Sequence, residues 1–329
     1  MIKSLLITGG AGFIGFNFVQ LMLESTDYQV TVIDKLTYAA HPDEMEKLSA
    51  HPRFRFIKGD ISRKEDLEMA FDHPIDAIVH FAAESHVDAS IGNAEPFIFS
   101  NVLGTYQVLE AARMHHVARM IHVSTDEVYG ALKRADPAFT ESSPIAPNNP
   151  YSATKSGADC LALAYARTYR LPVIVSRCSN NYGPYQNREK WIPTIVAHVL
   201  QKRPIPIYGD GRQIRDWLYV KDHCRALQML LEKGKPGEIY NIGGHEEHTN
   251  REIAERIAHL IGSEPVIAQV SDRPGHDRRY AMNASKIRTE LGWEPQTAFD
   301  EGLRDTVKWY QAHPLELGLS ARGEEENDD

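Results

Sequence analysis

The 329-residue sequence predicts an α/β fold, a doubly wound parallel sheet with a smaller C-terminal lobe. Three observations carry that expectation. Short apolar runs alternate with helix-length segments over the first half of the chain. The runs are apolar almost throughout, as strands covered on both faces are. After about residue 180 the rhythm breaks. Pro184, Pro193, Pro204, Pro206, Gly209 and Gly211 crowd in, and the elements shorten.

The expected strands are Leu5–Thr8, Gln29–Ile33, Phe54–Lys58, Ala77–Phe81, Met120–Ser124 and Pro172–Arg177. The expected helices between them are Gly12–Glu24, Lys64–Phe71, Pro96–His115 and Ser152–Tyr169. A later apolar run, Glu238–Gly244, reads as a strand returning to the main sheet. The chain divides into residues 1–180, a smaller lobe over 181–320, and an acidic tail, 321–329, without apolar residues to order it.

Hydrophobic residues are 42% and charged residues 25%, ordinary for a globular chain. A formal charge of −9 disfavours nucleic acid or an anionic membrane as partner. No apolar stretch is long enough to span a bilayer. The start, Met1–Ile7, runs directly into a strand and lacks the features of a signal peptide. Three scattered cysteines, Cys160, Cys178 and Cys224, make neither a metal spacing nor a disulfide framework. They are expected to be buried, reduced thiols of a cytoplasmic protein, and no metal site is expected.

Residues 8–15, TGGAGFIG, follow a strand and open a helix. Small residues there let the backbone approach a pyrophosphate at a helix N-terminus. Asp34, ending the second strand, is placed to bind a ribose 2′-hydroxyl, which favours NAD over NADP. Lys35 beside it works slightly against that exclusion. The expected cofactor contacts are Gly9, Gly12, Phe13, Ile14 and Gly15, then Asp34, Lys35, Leu36 and Thr37. Asp60 and Ile61 follow the third strand; Asp60 could equally cap the next helix.

Residues 151–155, YSATK, place Tyr151 and Lys155 on one helix face. A tyrosine titrates too high to be a base at neutral pH, and a neighbouring ammonium is expected to pull its phenol down. Such a pair is often an ordinary surface pair; behind a glycine loop and the strand-end hydroxyl Thr125 it suits proton removal from an alcohol. Asp126 and Glu127, adjacent at a strand end, have two readings. They suit the first turn of a helix, and they suit acid–base chemistry in which one carboxyl keeps its proton. Two carboxylates beside a hydride cofactor fit oxidation plus dehydration better than oxidation alone. Arg215 and Arg273 are diphosphate candidates or surface ion-pair residues.

Together with FAAESHVDASI (81–91), SRCSNNYGPYQ (176–186), PIYGDGRQIRDWLYVKDH (206–223), YNIGG (240–244) and DRPGHDRRY (272–280), these motifs resemble the extended short-chain dehydrogenases/reductases. More narrowly, from the first strand to about residue 310, the chain resembles the dTDP-glucose 4,6-dehydratase family. The resemblance implies a Rossmann-type fold, one bound NAD, a nucleotide-sugar substrate and a homodimer formed through the helices near 96–116 and 152–170. It implies oxidation at sugar C4 with Tyr151 as base, loss of water across C5 and C6, and reduction at C6. In that scheme Glu127 takes the C5 proton and Asp126 protonates the departing hydroxyl. It adds Ala82, Ala83, Ser85, Ser100 and Asn181 as cofactor contacts. It adds His86, Thr125, Asn180, Lys190, Trp191, Pro206, Ile207, Tyr208, Asn250, Asp272 and His276 on the substrate side, with Glu84 structural. The family's common FPEKL is here Asn187–Trp191, a common arginine is Ala89, and a common threonine is Ser100. The first change lies where the nucleotide and sugar would sit, so UDP-N-acetylglucosamine or UDP-glucose is the competing substrate. A sugar-nucleotide 4-epimerase is a further alternative.

Overall fold

A computed structural model describes residues 2–272 and 274–319. Six strands come first: β1 (Ser4–Thr8), β2 (Gln29–Asp34), β3 (Phe54–Lys58), β4 (Ala77–His80), β5 (Arg119–Thr125) and β6 (Val173–Cys178). Shorter ones follow: β7 (Asn180–Tyr182), β8 (Ile205–Tyr208), β9 (Ile214–Tyr219), β10 (Ile239–Ile242), β11 (Glu247–Thr249) and β12 (Ile267–Val270). Seven of them form one sheet in the order β10-β6-β5-β4-β1-β2-β3. All its pairings are parallel. The order reverses between β1 and β4, and such reversals open a crevice beyond the carboxyl ends of the strands.

Side-chain alternation along β1 splits the core in two. Leu5 and Ile7 face a cluster with Phe16, Phe18 and Met22 of the helix Phe13–Ser25 and Leu227, Leu230 and Leu231 of the helix Val220–Lys233. Leu6 faces the other cluster, with Val108, Leu109 and Ala112 of the helix Gly104–Met114 and Ala162 and Tyr165 of the helix Pro150–Tyr169. Both faces are therefore dry, and the near-continuous apolar runs have their physical reason. The expected return strand is β10, beside β6 at the sheet edge.

Two expectations need correction. The helix expected over Pro96–His115 is three joined pieces: Glu95–Phe97, a π-helical stretch Ile98–Leu103, and Gly104–Met114. The wider turn holds Asn101 inward. Its side chain accepts from the Glu84 N–H at 2.8 Å and donates to the Glu84 carbonyl at 3.0 Å and to Thr154 at 2.9 Å. Cys178 and Cys224 are buried, but Cys160 is exposed. It lies on the outer face of its helix, opposite the buried row Tyr151, Lys155, Ala158 and Ala162.

The remaining elements enclose a third cluster, built on Ile192, Ile195, Val196, Ile253, Ile257, Leu303, Val307 and Tyr310. Its strands form the sheet β11-β9-β7 and the pair β12–β8. The tail 321–329 lies outside the described residues. Asp222, fully buried, ties this lobe to the main sheet. Its carboxylate accepts the N–H groups of Gln296 and Thr297, each at 3.0 Å, and pairs with Arg225. Asp222→Ala leaves both N–H groups and Arg225 without that partner. A loss of about 3 kcal/mol in denaturant unfolding is expected; an unchanged midpoint would show that the tie is dispensable.

Candidate active site

The ends of β1, β2, β5 and β6 open on one cleft of about 310 Å³, walled by Gly9, Asp34, Thr125 and Cys178 among others. Gly9 has φ +70° in the turn after β1. A Cβ on Gly15 would overlap the Gly9 carbonyl oxygen, so only glycine lets the helix Phe13–Ser25 settle on that turn. No side chain caps this helix, which leaves its first N–H groups to a ligand. Asp34 accepts from the N–H groups of Leu36 at 2.8 Å and Ala11 at 3.1 Å. Burial pushes its carboxyl up, and those two N–H groups pull it back. Lys35 donates to Ser100 at 2.9 Å and pairs with Glu84 at 2.9 Å.

Across the cleft stands the second group. β5 ends at Thr125, whose hydroxyl accepts from the Glu127 N–H at 3.2 Å and so caps a short 3₁₀ turn, Asp126–Tyr129. The same hydroxyl donates to Asp126 Oδ1 at 3.2 Å. Asn149 caps the helix Pro150–Tyr169 in a reciprocal box with Ser152, and its amide reaches Glu127 Oε2 at 3.4 Å. Tyr151 and Lys155 follow on the buried face, and Lys155 Nζ donates to the Val123 carbonyl at 2.8 Å. Burial pushes the Asp126 carboxyl well above the usual range, and the charges of Glu127 and Asp216 add to it; Arg215 and the Thr125 hydrogen bond oppose.

The Tyr151 phenol shifts against expectation. Burial and the Glu127 carboxylate push it well above its usual value, and a hydrogen bond to Thr125 pulls the other way. Lys155 is itself drawn down by burial, and its ammonium is directed at a backbone carbonyl.

The cleft gathers nearly all of the expected cofactor group: Gly9, Gly12, Phe13, Ile14, Gly15, Asp34, Lys35, Thr37, Asp60, Ile61, Ala82, Ala83, Ser85, Ser100, Tyr151, Lys155 and Asn181. Leu36 stands outside the wall; at φ +58° it packs against the core and gives Asp34 its N–H. Asp60 caps no helix: its Oδ1 accepts from Ser62 in a local turn. Asn181 lines the cleft, but its amide is occupied, donating to the Ser179 carbonyl at 2.9 Å and bonded to His223 at 2.9 Å.

Of the expected substrate group, Thr125, Asn180 and Lys190 line this cleft. His86 uses Nδ1 to cap the short helix Val87–Gly92. Ile207 is packed in the third core cluster, because β8 alternates and its inward residue must be apolar. Trp191 packs against the same cluster, and Pro206 is half-buried. Tyr208 is not part of the cleft wall; its hydroxyl meets Asp88 of the other half at 3.2 Å and its ring is edge-on to His276. Asp272 bonds His276 at 2.6 Å and Gln213 at 3.3 Å. The Asn250 N–H donates to the Gln213 carbonyl. Arg215 is buried and stacks 4.5 Å over Tyr280. Arg273 lies outside the described residues.

Ser179 and Gln186, which no sequence reading singled out, also line the cleft, as do Asn187 and Glu189 from the divergent Asn187–Trp191 stretch. The last two belong to a strap across it. Lys190 donates to the Ser85 carbonyl at 2.8 Å, Tyr38 to Glu189 at 3.1 Å, and Asn187 to the Tyr38 carbonyl at 3.4 Å. Among the described residues no cluster is arranged to hold a metal ion, and no helix is long and apolar enough to cross a membrane.

Residues 6–306 match the family model described as GDP-mannose 4,6 dehydratase. The chain belongs to this GDP-mannose 4,6-dehydratase family. It is 48% identical over 330 residues to the dTDP-glucose 4,6-dehydratase of Neisseria gonorrhoeae, covering 94% of this chain and 95% of that one. It is 48% identical over 314 residues to the enzyme of that name from Streptomyces niveus, covering 93% and 92%. The crystal structure of dTDP-glucose 4,6-dehydratase from Streptomyces venezuelae, with NAD bound, superposes with a TM-score of 0.92 at 46% identity over 95% of this chain and 98% of that one. A UDP-glucose 4-epimerase from Thermus thermophilus, also in complex with NAD, reaches 0.87 at 29% identity over 94% and 99%. The Rossmann-type fold is thus common to dehydratases and epimerases around this family, and the site must separate them.

The Asp126 carboxyl keeps its proton at a pH where the unfolded chain has released it, so unfolding gains as pH rises above about 4. Asp126→Asn keeps the acceptor oxygen for Thr125 and removes that dependence. The variant is expected to melt higher than the parent at pH 7 and equally below pH 4. A lower melting point at pH 7 would mean that Asp126 is ionised in the fold.

Proposed function

We propose that the protein is an NAD-dependent nucleotide-sugar 4,6-dehydratase, a lyase that converts dTDP-glucose to dTDP-4-keto-6-deoxyglucose and water. The observation that carries this reading is the buried acid Asp126 beside a second, half-buried acid, Glu127, on the same wall of the cleft as the Tyr151–Lys155 pair. An oxidation alone uses only the latter.

NAD fits the residues present. The Gly9–Gly15 turn leaves no room for a Cβ at Gly15, the helix N-terminus is uncapped, and Asp34 is oriented by two N–H groups. Lys35 is engaged by Glu84 and Ser100 rather than held ready for a 2′-phosphate, which supports NAD over NADP. When bound, NAD supplies the hydride acceptor at sugar C4, the donor at C6, and a positive ring that offsets the upward push on the Tyr151 phenol. Tyr151 takes the 4-hydroxyl proton, held by Thr125 and backed by the Lys155 ammonium. Glu127, half-buried and steadied by Asn149, takes the proton from C5. Asp126 gives its proton to the 6-hydroxyl, which leaves as water. One acid charged and one protonated is what that elimination needs.

Arg215, Tyr208, Asp272, His276, Asn250 and Lys190, together with Arg273 by its place in the sequence motif, are proposed to hold the nucleoside diphosphate. The main sheet then serves as the cofactor half and the lobe around β8, β9 and β12 as the nucleotide-sugar half. A homodimer is proposed through the 95–114 and Pro150–Tyr169 helices, whose outer faces expose Ile98, Phe99, Tyr106, Met114 and Tyr169. A cytoplasmic location accords with free thiols.

Mass spectrometry of products from dTDP-glucose, UDP-glucose and UDP-N-acetylglucosamine tests the reading. Loss of one water from dTDP-glucose is expected. Loss from a UDP sugar alone would move the substrate to that class, with Asn187–Trp191 as the first region to examine. An isomer without mass loss would make the protein an epimerase. Tyr151→Phe and Glu127→Gln should each lower turnover by about 10² or more. Glu127→Gln should still accumulate reduced nicotinamide, seen by its absorbance, while the sugar C5 hydrogen no longer exchanges with solvent deuterium. Retained C5 exchange would remove Glu127 from the base role.

A further inference from the structure

Two adjacent acids do not by themselves decide which keeps the proton. The strand register brings a third to them. Thr125 pairs with Cys178 across β5 and β6, and Asn180 pairs with Trp217 across β7 and β9. One step further along the first ladder stand Asp126 and Ser179; one step back along the second stand Ser179 and Asp216. Asp126, Ser179 and Asp216 are thus each one residue from a paired position, which brings the three stretches together, with Ser179 on the cleft wall. Asp216 is almost wholly buried at 1% exposure. Its Oδ1 accepts from the Glu246 N–H at 3.0 Å. Its Oδ2 faces Gly243 so closely that a Cβ there would sit 2.9 Å away.

We propose that Asp216, reaching in from the second lobe, is a positioning residue that keeps the proton on Asp126 rather than on Glu127. This rests on the dehydratase reading and deepens it. From about pH 7 upward, where Asp216 is charged, that charge beside Asp126 disfavours a second one there. Glu127 has the Asn149 amide to stabilise its charge, whereas Asp126 Oδ2 is buried without a hydrogen-bond partner.

The other groups around the pair are these. Asp126 is faced by Glu127, Arg215 and Thr125, and it acts in turn on Tyr151 and Cys178. Asp216 is pushed up to about 7, first by burial and also by Glu247 opposite it on β11; the N–H groups of Glu246 and Gly244 and the Ser179 hydroxyl oppose. Arg279, which feels Asp216, is paired to Glu247. Of the helices packed on β9, Val220–Lys233 carries Asp222, engaged by Arg225, and Phe299–Ala312 carries Asp300, engaged by Arg256.

The test is the pH profile of water loss. Asp216→Asn keeps an acceptor for the Glu246 N–H and removes the negative charge. Asp126 then releases its proton more easily, and activity that needs the protonated acid fails at lower pH. The basic limb of kcat is expected to move down by about one unit, roughly tenfold at a fixed pH on that limb, with KM unchanged. A folded Asp216→Asn variant whose limb superposes on the parent's, however much kcat is scaled, overturns the proposal. Should that variant not fold, Asp216→Ser serves. That replacement likewise removes the negative charge at 216, so the limb must move in the same direction; an unmoved limb overturns the proposal there too. A parent protein that eliminates water from none of the sugar nucleotides overturns the dehydratase reading and this inference together. Normal elimination by the parent with unmoved limbs in the variants sinks Asp216 alone.

Discussion

Lys155 carries an ammonium where water barely reaches, 4% exposed, with one backbone carbonyl as its hydrogen-bond acceptor. Such a charge survives burial only if the surroundings answer it. The answer comes one helix turn on. Asp159 is fully buried, its carboxyl held low against its own burial by His122 and by Arg177. Arg177 Nε reaches it at 2.8 Å, and His122 Nε2 lies 3.2 Å away. His80 and His122 are both drawn down, chiefly by burial, and so tend to neutrality. Two cations and one anion leave this buried cluster behind Lys155 net positive. A net positive charge there works against the upward push that burial and Glu127 exert on the Tyr151 phenol, and keeping it in place requires β5, β6 and the helix Pro150–Tyr169 to meet in register.

The chain crosses between its halves more than once. It leaves the main sheet after β6, returns as the helix Val220–Lys233 and β10, and leaves again. Each crossing is fastened by polar contacts rather than apolar area alone: Asp222 to the 296–297 N–H groups, Tyr208 to Asp88, Lys190 to the Ser85 carbonyl. Directional bonds at the seam hold the two walls of the cleft at a set spacing, which a purely greasy seam would leave free to slide.

Much of the fold was legible because it is local. The strand Phe54–Lys58 was read to the residue, since a short apolar run bounded by turns leaves little choice. The glycine turn, Asp34 and the Tyr151–Lys155 spacing were legible for the same reason. What escaped is long-range. Nothing near Tyr151 in sequence reveals that burial and Glu127 dominate its phenol. Asn181 reads as a cofactor contact, and nothing near it in sequence shows that His223, forty-two positions away, already bonds its side chain. Ile207 reads as a possible contact until the core claims it. The π-helical stretch at Ile98–Leu103 leaves no trace in an apolar pattern, because one extra residue in a turn shifts the face without changing composition.

The strap from Asn187 to Lys190 fastens to both banks of the cleft, to Tyr38 on one side and Ser85 on the other. A dinucleotide beneath it could leave only after several bonds opened together. In a reaction whose two redox halves cancel, such a strap would make the cofactor a built-in part rather than a consumable. Turnover would then be insulated from the cell's ratio of oxidised to reduced nicotinamide, and flux would follow the supply of sugar nucleotide alone.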